Sequence, residues 1–151
     1  MFRILLRILL AAIFLVSGSM KLRDPLLFAF AVEAFHLGVP VSVVERTAYI
    51  LPWLELLLGA ALLVGFWTRP AAGLALTLML AFILGIVSLG IRQLDVDCPC
   101  FGSLRLVCSG PLGLCHVLRN LVIGGAAAWL VWSGPGPWSI DARGSAGSIR
   151  A

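Results

Sequence analysis

The four cysteines of the chain lie in one polar segment between two long apolar stretches: Cys98, Cys100, Cys108 and Cys115. Pro99 alone separates the first two, and it restricts the backbone between two thiols that are within reach of each other. A disulfide closed over one residue is expected to be strained, and strained disulfides are reduced more readily. The spacing therefore favours an exchanging redox pair. Static bracing disulfides, inert apolar packing, or a thiolate metal site with His116 are the alternatives.

The surroundings of each cysteine indicate which thiol would attack. Cys115 lies near a predicted helix start, where the helix N-terminus and the nearby cation Arg119 stabilise a thiolate. Two neighbouring aspartates oppose thiolate formation at Cys98. Cys100 or Cys115 is therefore the better candidate for the attacking thiolate, and Cys108, in a Ser-Gly-Pro-Leu-Gly segment, is a candidate resolving partner.

The elements that must position these thiols are membrane-spanning helices. The chain is 61% hydrophobic and 12% charged, whereas a soluble domain carries about 25% charged residues. This composition excludes a water-soluble globule. A span needs about 20 mostly apolar residues, and four segments qualify, at about residues 4–20, 48–67, 70–91 and 115–132. The first spans only if Arg7 reaches towards the membrane surface, and a cleaved signal peptide is the alternative for it.

A shorter apolar segment follows the first span. It runs from Leu26 to Leu37, begins after an Asp24-Pro25 start signal, and ends near Gly38. The predicted fold is therefore an all-α membrane protein, a four-helix transmembrane bundle with a short interfacial helix after the first span. Residues 1–133 form this domain, with the cysteine loop at 92–114, and residues 134–151 form a flexible tail rich in Gly, Pro and Ser.

Four charged residues should approach the membrane face that holds the cysteine loop: Lys21, Glu55, Arg92 and Arg119. A carboxylate inside a span costs about 2.5–3.5 kcal/mol, so Glu55 should face the bundle and pair with Lys21 or Arg119. One interpretation is a structural ion pair that fixes helix register. The other is a proton carrier, or a polar wall that binds a small molecule such as the headgroup of a membrane quinone.

Five segments in order resemble a known family: LVSGSMKLRDP at 15–25, PWLELLLG at 52–59, TR at 68–69, DCPCFG at 97–102 and LRN at 118–120. Over about residues 5 to 133 the chain is similar to the DoxX/MauE group of small four-helix membrane proteins. The Cys-x-Cys-Phe-Gly motif points to the MauE side of that group. Cys108 and Cys115 are additions to the family motif, and they suggest a relay between two cysteine pairs.

The resemblance implies a role in thiol redox chemistry. MauE-like proteins are linked to methylamine utilisation, through maturation of the small disulfide-rich subunit of periplasmic methylamine dehydrogenase. DoxX relatives are associated with thiol redox systems, and DoxD relatives with quinone-coupled thiosulfate oxidation. We therefore expect a redox-associated membrane protein that assists thiol–disulfide exchange in an extracytoplasmic client or thioredoxin-like partner. A membrane thiol-disulfide oxidoreductase is one form of this function.

The same sequence leaves other functions and the orientation open. A non-enzymatic assembly factor with structural disulfides is one alternative, and a metal-handling or small-molecule transport protein is another. Lys and Arg are nearly balanced between the two faces, so charge does not decide the orientation. Stable disulfides belong outside the cytosol. If the cysteines cycle as disulfides, this predicts an inner (plasma) membrane protein with cytoplasmic termini and a periplasmic or extracellular cysteine loop. The absence of a basic run predicts no nucleic-acid partner.

Overall fold

The computed structural model of the 151-residue chain describes residues 1–34, 40–92, 114–134, 136 and 139–141. Within these residues the chain forms five helices: α1 (Phe2–Arg23), α2 (Pro25–Ala34), α3 (Val41–Val64), α4 (Thr68–Arg92) and α5 (Leu114–Ser133). All but α2 are long and apolar enough to cross a membrane. The prediction of an all-helical four-span protein with a short helix after the first span is confirmed.

The four long helices pack as two neighbouring pairs around one apolar core. α1 lies against α3, and α4 lies against α5. The largest fully buried apolar side chains come from all four of these helices, and they include Phe14, Leu62, Leu89 and Leu130. Large apolar side chains also cover the outside of the bundle, as Leu57, Leu84 and Val122 do. Lipid is the natural cover for such a surface, because it leaves apolar side chains outside water.

The short helix α2 begins at the residue that the sequence indicates. Asp24 precedes it, and the Asp24 Oδ1 atom accepts a hydrogen bond of 3.1 Å from the Leu27 N–H. Pro25 is the first helical residue, where its missing N–H has no intrahelical partner to lose. The last described residue of α2 is Ala34, and the predicted end near Gly38 lies outside the described residues.

Helix α3 extends further than hydropathy alone indicates. It begins at Val41 rather than near residue 48, so it is longer by about two turns at the end near α2. Those turns contain the charged residues Glu45 and Arg46, which a search for apolar spans leaves out. The short helix α2 packs on α3.

At the end of the bundle where α3 ends and α4 begins, the helices contact the tail that follows α5. Both carboxylate oxygens of Asp141 accept hydrogen bonds from backbone N–H groups at the start of α4, 2.9 Å from Trp67 and 2.8 Å from Thr68. The Asp141 N–H donates to the Gly65 carbonyl at 3.2 Å. Gly65 ends α3 in a left-handed conformation (φ 74°), and Arg7 lies buried against it. We call Asp141 with these three backbone groups the tail clasp.

Candidate functional site

The buried ion pair expected at Glu55 forms with Lys21. Lys21 lies two residues before the end of α1, and its ammonium donates a hydrogen bond to the Oε1 atom of Glu55 on α3. Both side chains are almost completely buried. The ammonium also lies 5.0 Å from the ring centroid of Phe28 and 5.1 Å from that of Phe82, which are cation–π distances. Residues from α1, α2, α3 and α4 therefore surround this one positive charge.

A close contact between α1 and α3 brings the two charges together. A Cβ atom on Gly18 would lie 2.9 Å from the backbone oxygen of Pro52 and 3.0 Å from Leu56 Cγ. Gly18 precedes Lys21 by three residues, and Pro52 precedes Glu55 by three. Because α1 and α3 run in opposite directions, Glu55 lies at this contact itself, where a Cβ atom on Gly18 would be 3.2 Å from Glu55 Cβ. Lys21 lies about one helical turn further along α1. The small residue permits the approach that the ion pair requires.

A cavity of about 30 Å³ lies beside the ion pair, where α1, α3, α4 and α5 meet. Its polar lining comes from Ser17, Lys21, Glu55, Arg119 and Asn120, and its apolar lining includes Phe14, Met79 and Phe82. This volume suits one or two water molecules, because a single water needs at least about 10–15 Å³. A quinone ring would enter only if the surrounding helices moved apart.

Glu55 and His116 each have one buried side-chain atom without a hydrogen-bond partner in the described part of the chain. One is Oε2 of Glu55, the oxygen that does not contact Lys21. The other is Nδ1 of His116, a side chain that is 5% exposed and lies on the first turn of α5. An unsatisfied buried polar atom costs about 1–3 kcal/mol, and more if it is charged, so both positions point to groups that a small polar ligand or water would satisfy.

The structure brings together three of the four charged residues predicted at this face. Lys21, Glu55 and Arg119 line the same cavity. Arg92 is the last residue of α4 and its side chain is exposed. A role for any of them in binding a cofactor stays a prediction.

The cysteines are only partly covered by the described residues. Cys115 is the second residue of α5, is exposed, and is disulfide-bonded. Cys98, Cys100 and Cys108 lie outside the described residues. Arg119 follows Cys115 by four residues on the same helix face, so Cys115 lies about one turn from the cavity wall. The redox role of all four cysteines stays a prediction.

Sequence reasoning missed several residues of the site. Ser17 and Asn120 line the cavity, and the Phe28 and Phe82 rings flank the ammonium. The sequence did indicate Ser17 and Asn120, because small polar residues inside a span usually face the bundle interior. Among the residues that the structure describes, no group of three or more His, Cys, Asp or Glu side chains could hold a metal ion.

Comparisons with known proteins identify the family of the chain. The family model described as "Methylamine utilisation protein MauE" matches residues 1–133. A relative from Methylophilus methylotrophus, named "Methylamine utilization protein MauE", is 33% identical over 124 residues. The match includes 81% of this chain and 64% of that relative, so the chain spans less than two thirds of the relative's length. No solved structure is significantly similar. With a family model that matches most of its length, the chain belongs to the MauE family of methylamine utilisation proteins.

Proposed function

We propose that this MauE-family protein assists disulfide formation or exchange in an extracytoplasmic partner. The observation that supports the proposal most directly is Cys115, which is exposed at the start of α5 and is disulfide-bonded. An exposed disulfide at the end of a span is accessible to a partner's thiolate. The family name points to a partner used in methylamine utilisation, and a small disulfide-rich enzyme subunit fits that role.

The chemistry is a two-electron exchange between cysteine pairs. A partner thiolate attacks one sulfur of a disulfide in this protein, forms a mixed disulfide, and releases the other sulfur as a thiolate. A second partner thiolate then attacks the mixed disulfide. The partner leaves with a new disulfide, and this protein keeps two thiols. An oxidant that accepts two electrons and two protons, such as a membrane quinone, would restore the disulfide.

Thiol trapping in native membranes tests the proposal. We expect the cysteines to change between oxidised and reduced states when cells are treated with a thiol reductant and then an oxidant, as read by alkylation with a large maleimide. Cys98→Ser and Cys115→Ser should each slow disulfide formation in the partner. Leu114→Ser is the matched control, since it alters the exposed residue next to Cys115 and leaves every thiol intact.

The same experiment separates exchange from assembly. An assembly factor with static disulfides would keep its cysteines oxidised under every redox challenge, and Cys98→Ser would leave partner maturation intact. Both results together would overturn the exchange proposal. A mixed disulfide between a cysteine variant of this protein and the partner, recovered from cells, would support it.

A further inference from the structure

The net positive charge of the chain belongs to the end of the bundle that holds the tail clasp, which we call the clasp end. Of the 11 Lys and Arg residues, those that belong to this end by their position in the sequence are Arg3, Arg7, Arg69, Arg143 and Arg150. Asp141 is their one acidic counterpart in the sequence. The other six Lys and Arg residues are offset by the other six Asp and Glu residues, so the net charge of +4 is concentrated at the clasp end.

Two exposed arginines border the segment that follows α5. A Cβ atom on Gly134 would lie 3.5 Å from Nη2 of Arg69, and one on Gly136 would lie 3.6 Å from Cβ of Arg3. Both arginines are exposed, and neither forms an ion pair with the residues that the structure describes. Arg7, by contrast, is buried and lies close to Asp141. The positive charge that stays available to a partner is therefore that of Arg3 and Arg69.

The start of α1 favours an anion beside Arg3. The helix begins at Phe2, with no side-chain cap and no acidic residue in its first turn. Its first N–H groups and the positive end of its dipole therefore add to the charge of the arginine. The start of α4 differs, because Asp141 already accepts the hydrogen bonds of the Trp67 and Thr68 N–H groups.

The clasp end also exposes aromatic rings. The Phe2 ring meets the Trp129 ring edge-on, with centroids 6.5 Å apart, and Phe66 stacks on Trp67 at 5.6 Å. All four side chains are exposed, as is Trp132. Tryptophan is enriched where a bilayer meets water. With 25 residues α4 is about 38 Å long, more than the roughly 30 Å of a hydrocarbon core, so the ends of the bundle reach the lipid headgroups.

We propose that the clasp end binds an anionic phospholipid, with the lipid phosphate held by Arg3 and Arg69 and the exposed rings packed where the headgroup meets the acyl chains. Arginine forms paired hydrogen bonds to phosphate oxygens. The net charge of +4 favours a negatively charged headgroup over a zwitterionic one. This site is separate from the cysteines and from the Lys21–Glu55 pair, which lie toward the other end of the bundle.

Native mass spectrometry of the full-length protein, titrated with phosphatidylglycerol or with phosphatidylcholine of the same acyl chains, tests the proposal. We expect tighter binding of phosphatidylglycerol. Arg3→Gln and Arg69→Gln should each weaken that binding by about fivefold, the effect of one basic residue near an anionic membrane surface. Binding of phosphatidylcholine should not change. Arg23→Gln/Arg46→Gln is the matched control, because it removes two exposed arginines from the other end of the bundle.

Three results of this titration would overturn the proposal. One is equal affinity of the wild type for the two lipids. Another is an equal loss in the control, which would mean that total charge selects the lipid. The third is displacement of bound phosphatidylglycerol by millimolar inorganic phosphate, which would show a site for small anions. We expect no displacement, because phosphate lacks the acyl chains that contact the rings.

Tryptophan quenching tests the same site in a bilayer. In nanodiscs that contain a minor fraction of brominated lipid, brominated phosphatidylglycerol should quench more strongly than brominated phosphatidylcholine. The reason is that Trp67, Trp129 and Trp132 lie at the clasp end and are exposed. Arg3→Gln/Arg69→Gln should abolish the difference, and Arg23→Gln/Arg46→Gln should keep it. Equal quenching of the wild type by the two lipids would mean that no anionic lipid is enriched beside these rings, and it would overturn the proposal.

Discussion

Lys21 and Glu55 carry opposite charges at a point where both side chains are buried. Removing one partner of a buried pair leaves the other charge without compensation, which costs about 3–5 kcal/mol. We therefore expect Glu55→Gln and Lys21→Met each to lower the free energy of unfolding by about 3 kcal/mol. The double variant should lose clearly less than the sum, because it leaves no isolated charge.

Steric trapping or reversible detergent unfolding in bicelles measures the free energy of unfolding of the wild type, the two single variants and the double variant. Glu45→Gln is the control, because the Glu45 side chain is exposed and should change stability little. Additive losses in the double variant would mean that the two charges do not stabilise each other, and they would contradict the pairing.

Asp141 gives the tail clasp a pH dependence. Burial raises the pKa of this carboxyl, but hydrogen bonds from Thr68 and Trp67 and the nearby charge of Arg7 outweigh it, so its pKa is lowered overall. A carboxyl whose pKa is lower in the folded state stabilises the protein above its unfolded pKa of about 3.9. That stabilisation is lost as the pH falls through the folded pKa.

We expect Asp141→Ala to cost about 1 kcal/mol at neutral pH, the value of a lost helix N-cap. Asp141→Asn should also be less stable than wild type at neutral pH, and the difference should vanish in acid. Thermal unfolding followed by tryptophan fluorescence across pH measures both. Ile140→Ala truncates the neighbouring exposed side chain and should show no such pH dependence. A constant difference between wild type and Asp141→Asn at all pH values would contradict the clasp.

At the scale of elements, the contact between α1 and α3 depends on small residues. A Cβ atom on Gly18 would meet the Pro52 backbone oxygen at 2.9 Å, and one on Gly59 would meet Leu15 Cγ at 2.7 Å. We expect Gly18→Ala to destabilise the bundle by about 1–3 kcal/mol, because a backbone oxygen cannot move aside as a side chain does. Gly73→Ala is the matched control, since its Cβ would meet nothing within 4 Å.

The two glycine variants are best compared by unfolding in the same detergent. Gly73→Ala should be neutral or slightly stabilising, because alanine favours a helix over glycine. Equal stability of Gly18→Ala and Gly73→Ala would refute the close approach of the two helices. Gly18→Ala should also weaken the Lys21–Glu55 interaction in a mutant cycle, since the added Cβ atom would lie 3.2 Å from Glu55 Cβ.

The sequence predicted the elements better than their contacts. Hydropathy and length located all four spans, and Asp24-Pro25 located the start of α2. The partner of Glu55 could not be chosen, because Lys21 and Arg119 approach the same face and only helix packing separates them. The Asp141 contact was also beyond prediction. It joins residues 73 and 74 positions apart, and no periodic pattern in a Gly-, Pro- and Ser-rich tail indicates it.

At the scale of the whole molecule, the helices define two polar ends. The tail clasp and the start of α1 share one end, because Arg7 and Asp141 lie close together there. Lys21, the end of α4 and the start of α5 share the other. The exposed disulfide-bonded Cys115 is therefore on the face opposite the clasp. One measurement of sidedness at either end determines the orientation of all four spans.

We expect the clasp end to face the cytoplasm, because a disulfide persists on the oxidising side of the membrane. A fluorescent protein fused after Ala151 should fold and fluoresce, whereas alkaline phosphatase at the same position should stay inactive. After reduction, a membrane-impermeant maleimide added to intact spheroplasts should label Cys115, and Cys115→Ser should lose that label. Active phosphatase at the C-terminus would place Cys115 in the cytosol. Exchange with an extracytoplasmic partner would then be impossible at this residue, since the two would lie on opposite sides of the bilayer.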